Sequence, residues 1–106
     1  MQPRGGITEL MRQAARIQRK IDQAKAALKD KELVFVATGD RVKVTATYGG
    51  KISRIEVDPT FLEAEGLDFV LDGVCAGVNG ALEMASKGME AELEKATGGV
   101  KIPGVT

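Results

Sequence analysis

The chain has 106 residues, 43% of them hydrophobic and 28% charged, which suits one globular domain and excludes wholesale disorder. It has no histidine and one cysteine, so Cys/His zinc sites, Cys–His nucleophilic pairs and an internal disulfide cannot be built within one chain. The formal net charge of zero hides a segregation: residues 1–31 hold eight Lys or Arg against three Asp or Glu (+5), and residues 32–106 hold seven against twelve (−5).

Such asymmetry points one end of the chain at a polyanion, the plain alternative being a solvated helix face. The lone Cys75 fits a reducing cytoplasm. No apolar run approaches the roughly 18 residues of a membrane helix, and Met1-Gln-Pro-Arg-Gly-Gly does not read as a signal peptide.

After a short lead over residues 1–7, the spacing predicts a helix from Thr8 to about Asp30. Its apolar positions Ile7, Leu10, Ala14, Ile17, Ile21, Ala24 and Leu28 alternate gaps of three and four, filling a and d of a heptad. Thr8 is the expected N-cap.

From Glu32 to Asp58 the period changes. Leu33-Val-Phe-Val-Ala37 is β-rich, and Val42, Val44 and Ala46 alternate with polar residues. Gly39-Asp40 and Gly49-Gly50 mark turns, so three antiparallel strands in a meander are expected. In the third strand Ile55 and Val57 would share a face with Ser53, opposite Ile52, Arg54 and Glu56. Ile52 fits poorly there, which anticipates a bulge near the second turn.

Asp58-Pro59 opens a short helical turn with Phe61 and Leu62, broken at Gly66. A long amphipathic helix follows over about Leu67–Ala96, with Leu67, Leu71, Val74, Val78, Leu82, Ala85, Met89 and Leu93 on one side. Cys75 falls on this stripe and reads as a small buried residue. Gly98-Gly99 ends the helix, and residues 97–106 read as a loose tail. The fold class is therefore α+β: a single domain, residues 1–106, ordered helix, three strands, helix.

The two helices would be roughly 35 and 45 Å long, against a sheet only about 23 Å along its strands. Both overhang it, and a homodimer is the simplest cover for the apolar stripes left over. Gly73, Gly77 and Gly80, at i, i+4 and i+7, form a strip suited to close backbone approach. With Leu71, Val74 and Val78 they make the expected dimer interface.

Arg12, Arg16 and Arg19 share one helix face at f, c and f of the heptad, away from the a/d seam, with Lys20 and Lys25 flanking. Guanidinium forks match phosphate oxygens, and cations spaced along a rod suit a duplex backbone. Glu90, Glu92 and Glu94 near the chain's other end would repel phosphates. Asp68 and Asp72 complement a helix N-terminus rather than forming a catalytic pair. No nucleophile–base pair, cofactor loop, metal site or small-molecule site stands out, so an enzyme is not expected. A coiled-coil module that grips another protein remains the rival to DNA binding.

Several stretches resemble the YbaB/EbfC family of bacterial nucleoid-associated DNA-binding proteins. They are Gly5-Gly-Ile7 before the basic first helix, Arg41-Val-Lys-Val-Thr45, Ile55-Glu-Val-Asp-Pro-Thr-Phe-Leu62, Val78-Asn-Gly-Ala81 and Val100-Lys-Ile-Pro-Gly104. The resemblance implies a tweezers-like α–β3–α homodimer that binds double-stranded DNA in the bacterial nucleoid with little or modest sequence preference, without cofactor or catalysis. Arg12, Arg16, Arg19 and Lys20 match the family's basic first helix, and Arg54 a basic position before Ile55-Glu-Val-Asp58. The turn at Gly39-Asp40 is shorter than the family's usual glycine-rich connection.

Overall fold

In a computed structural model, which describes residues 3–98, the elements are α1 (Pro3–Leu28), β1 (Glu32–Ala37), β2 (Val42–Thr47), β3 (Ile52–Val57), α2 (Pro59–Glu65) and α3 (Leu67–Ala96). The strands form one antiparallel sheet in the order β1-β2-β3. The expected helix–three strands–helix order is thus observed.

The first helix begins at Pro3, five residues before the expected start. Thr8 therefore lies inside α1 and is not its N-cap, and the residue 1–7 lead shrinks accordingly. Proline suits the first helical position, which lets the helix run through Gly5 and Gly6 at roughly 1 kcal/mol each. At the other end, Thr97 N–H donates to Leu93 O and Gly98 N–H to Lys95 O, closing α3 at a left-handed Gly98 (φ 70°). The rest of the expected loose tail lies outside the described residues.

The register assigns the two faces of the sheet. Leu33, Ala46 and Ile52 align across the strands, as do Phe35, Val44 and Ile55, and Ala37, Val42 and Val57. This face carries the core. Thr45 pairs with Arg54 but Ala46 with Ile52, so Ser53 is an extra residue. The anticipated bulge is there, and it corrects the face assignment: Ile52 joins Ile55 and Val57 on the core side, leaving Arg54 and Glu56 on the other.

α3 covers β1 and β2 and touches β3 far less, so Ile55 stays 44% exposed at the edge of the core face. The opposite face of the sheet stands open, with Val34 and Val36 exposed beside Lys43, Thr45 and Arg54.

The face of α3 that meets the sheet is not its large apolar stripe. Val70, Gly73, Gly77, Ala81 and Ala85 are buried there, together with Val42, Val44, Ala46 and Phe61. A Cβ on Gly77 would lie 2.7 Å from Val44 Cγ2, and one on Gly73 would lie 3.3 Å from Thr38 Cγ2 and Val42 Cγ2. A Cβ on Gly80 would collide with the Phe35 ring. The glycine strip assigned to a dimer interface therefore serves the chain's own sheet. Sheet and helix backbones approach most closely where side chains are smallest, so the small residues turn inward. Leu71 is left 51% exposed and Leu67 60%, with Val74 and Val78 half-buried on the flank. Cys75 is exposed rather than buried.

Asp58 caps α2: its Oδ1 accepts from Thr60 N–H at 3.0 Å and from the Thr60 hydroxyl at 2.9 Å. These two donors hold its carboxyl below the ordinary range, with nearby Arg41 acting in the same direction. Arg41 lies over the ring of buried Phe61, 4.6 Å from its centroid, and its Nε donates to Thr38 O.

Two expected outcomes follow from this packing. Gly77→Ala or Gly80→Ala destabilises the protomer by about 1–3 kcal/mol in denaturant unfolding, because the added methyl overpacks the helix–sheet contact. A folded pKa held below the unfolded one stabilises fully above about pH 4 and loses that contribution as pH falls through the native value. Asp58→Asn, which keeps a capping oxygen but cannot titrate, therefore unfolds over the acid range with a shallower pH dependence in circular dichroism melts.

Candidate nucleic-acid interface

α1 meets the rest of the protein through α3. Ile21 is 2% exposed, and Ile17, Ala24 and Leu28 are half-buried, so the C-terminal half of the a/d seam is seated. In the N-terminal half, Ile7 is 57% exposed, Leu10 66% and Met11 67%. A helix of 26 residues is about 39 Å long, and roughly half of it projects beyond its support. The protein is accordingly 76 Å long and only 19 by 17 Å in section. This projecting half is the arm.

The arm's sequence favours a helix. Alanine, glutamine, arginine, lysine and leucine dominate it, and these keep most of their side-chain freedom in a helix. Residues 7–21 carry four cations, Arg12, Arg16, Arg19 and Lys20, and one anion, Glu9. All five side chains are exposed.

Glu9 lies 3.6 Å from both Arg12 Nη1 and Arg16 Nη2. Exposed pairs of this kind contribute at most about 1 kcal/mol and are screened by salt, so both guanidiniums stay free to exchange Glu9 for a phosphate. Among the described residues, Arg19 and Lys20 have no ion pair. Gln13, Arg16, Ile17 and Lys20 together line a shallow groove along the helix.

The other two predicted contacts lie elsewhere. Lys25 turns away from the arginine stripe and lines a groove between α1 and α3 with Lys29, Met89, Glu90 and Leu93. Arg54 stands on the open face of the sheet, its Nε 3.4 Å from Glu56. It belongs to the body, apart from the arm, and its exposed pair with Glu56 is as weak as those of Arg12 and Arg16. The six residues assigned from sequence thus divide into four on the arm, one in the groove and one on the sheet.

Sequence reasoning missed the junction that holds the arm. Gly49 N–H donates to Lys29 O at 3.0 Å, and Tyr48 N–H donates to Lys31 O at 2.8 Å. The second strand-to-strand turn is thereby tied to the end of α1. Lys31 Nζ lies over the Tyr48 ring, 5.1 Å from its centroid. The i, i+4 spacing of Lys25 and Lys29 was the available signal for a second basic face, but nothing in the spacing joined it to Tyr48.

The acidic residues lie mostly on the body. From Ile55 to Ser86 there is no Lys or Arg, while Glu56, Asp58, Glu63, Glu65, Asp68, Asp72 and Glu83 fall within that stretch. Asp68 stands in the first turn of α3, where it complements the helix dipole. Near the end of α3, Lys87 pairs with Glu83 and Lys95 with Glu92. Of the described residues, no helix is long and apolar enough to cross a membrane.

A three-stranded sheet under one long helix, with a projecting basic helix for an arm, defines a small α–β3–α protein. Residues 4–100 match the profile of the YbaB/EbfC DNA-binding family, and the chain belongs to that family. It is a DNA-binding protein rather than an enzyme.

A nucleoid-associated protein of Anaeromyxobacter sp. (strain Fw109-5) is 35% identical over 99 residues, covering 93% of this chain and 96% of that one. One from Acetivibrio thermocellus is 34% identical over 102 residues (95% and 90%), and one from Psychrobacter sp. (strain PRwf-1) is 37% identical over 101 residues (92% and 91%). In fold, the chain resembles the crystal structure of an uncharacterized Helicobacter pylori protein, with a TM-score of 0.65 at 14% identity over 79% of this chain and 88% of that one.

Proposed function

We propose that this protein is a nucleoid-associated protein of the bacterial cytoplasm that binds duplex DNA as a homodimer. The chain acts as one unit, and its arms contact phosphates through Arg12, Arg16, Arg19 and Lys20. The observation that carries this reading is the arm itself, an exposed cationic helix half projecting past the body, in a chain of DNA-binding family. The names of the relatives support the nucleoid as its place.

Each arm carries a net +3 over residues 7–21, and two arms double it. The rest of the protein has a net negative charge, so contact is confined to the arms and the body stays off the duplex. We assign the arm's arginines to phosphate oxygens, contacts that position the protein on the backbone without reading bases. Any preference then comes from DNA shape and deformability.

Pairing is supported by the exposed apolar residues. Leu67 and Leu71, with half-buried Val74 and Val78, form a strip on the flank of α3, and Ile7, Leu10 and Met11 form another on the arm. A two-fold dimer covers such strips with copies of themselves. Since the glycines of α3 face inward, the proposed interface keeps Leu71, Val74 and Val78 and drops Gly73, Gly77 and Gly80. Leu71→Asp shifts the protein toward monomer in sedimentation without lowering protomer stability, because the side chain it replaces is already exposed.

Duplex binding is tested by a salt titration. With about four to six phosphates neutralised, log K falls against log salt with a slope of about −4 to −5. Replacing Arg12, Arg16 and Arg19 together with Ala flattens the slope and leaves the sedimentation behaviour intact. An unchanged slope moves the contact off the arm. Retention of an acidic protein at near-physiological salt, with no duplex binding, favours the interaction-module reading instead.

A further inference from the structure

We infer that Tyr48, Gly49 and Gly88 are positioning residues that set the direction of the DNA-binding arm. This rests on the arm's role proposed above.

A rod held at one end transmits any change of angle to its tip. The arm is held where the end of α1, the β2–β3 turn and the C-terminal half of α3 converge. Gly49 donates its N–H to Lys29 O, and a Cβ on Gly49 would sit 2.9 Å from that same oxygen and 3.2 Å from Lys29 Cβ. The turn and the helix end touch backbone to backbone, at a distance that only glycine permits.

Tyr48 donates its N–H to Lys31 O, and its ring sits beneath Lys31 Nζ. On the other side, a Cβ on Gly88 would lie 2.8 Å from Tyr48 Cζ and 3.0 Å from its hydroxyl oxygen. The ring therefore stands as a spacer between Lys31, just past the end of α1, and the backbone of α3. With α1 already seated on α3 through Ile21, this contact and the Gly49–Lys29 approach hold the end of α1 at a second place.

Neither contact adds a charge to the arm. The junction acts on DNA only by presenting the four cations in one direction, which removes the cost of ordering them at each binding event.

Two variants carry the test, each checked for folding by circular dichroism. Tyr48→Ala removes the spacer, and Gly49→Ala drives a methyl against Lys29 O. Duplex affinity is expected to fall about fivefold to tenfold while the salt slope is unchanged, since the number of cations is unchanged. Small-angle scattering is expected to read an altered largest dimension in both. Tyr48→Phe, which keeps the ring, is expected to restore wild-type values.

If Tyr48→Ala does not fold, Gly49→Ala decides alone. Folded variants that bind as tightly as wild type, or that lose slope together with affinity, overturn the inference. Failure of the arm itself is distinguishable: then the Arg12, Arg16 and Arg19 replacement changes neither slope nor affinity.

Discussion

The close approach of α3 to the sheet organises the rest of the protein. Gly73, Gly77, Gly80, Ala81 and Ala85 let the helix backbone settle against Val42, Val44 and Phe35 with little side chain between. In a chain with few aromatic residues, contact at this distance recovers dispersion energy that bulkier side chains supply elsewhere. It costs helix propensity at each glycine, about 1 kcal/mol, and that cost is offset only while the sheet remains in place. The helix and the sheet are thus stable chiefly as a pair.

Turning the small residues inward has a consequence on the flank. The larger apolar residues of α3 point sideways rather than down. Their C-terminal portion, including Leu82, Met89 and Leu93, lies where the seated half of α1 packs, and Leu67 and Leu71 are left open. α1 therefore rides on the side of α3 instead of on the sheet, and it is longer than the support it finds there. The exposed cationic arm, the elongated shape and the exposed apolar strips all descend from this placement.

Charge segregation completes the arrangement. On the arm, Arg12 and Arg16 are held by weak, exposed pairs with one glutamate, which salt screens. The acids of α2 and α3 sit on the body. A chain of zero net charge thereby carries a cationic arm on a body of net negative charge, which in the proposed complex restricts the orientation of contact rather than strengthening it.

Much of this was legible in the sequence. The heptad of α1, the alternation in the strands, the Asp58-Pro59 cap and the limits of α3 follow from periods and breakers that act over a few residues, and so does the basic stripe on one helix face. What the tertiary structure alone decided was which face of α3 turns inward, how Ser53 shifts Ile52 back to the core, and that Arg54 and Lys25 stand apart from the arm. Each depends on distances between backbones far apart in the chain. A hydrophobic stripe reports which residues avoid water, whereas steric fit at the sheet selects the smallest ones, and that competition appears only when both surfaces are present.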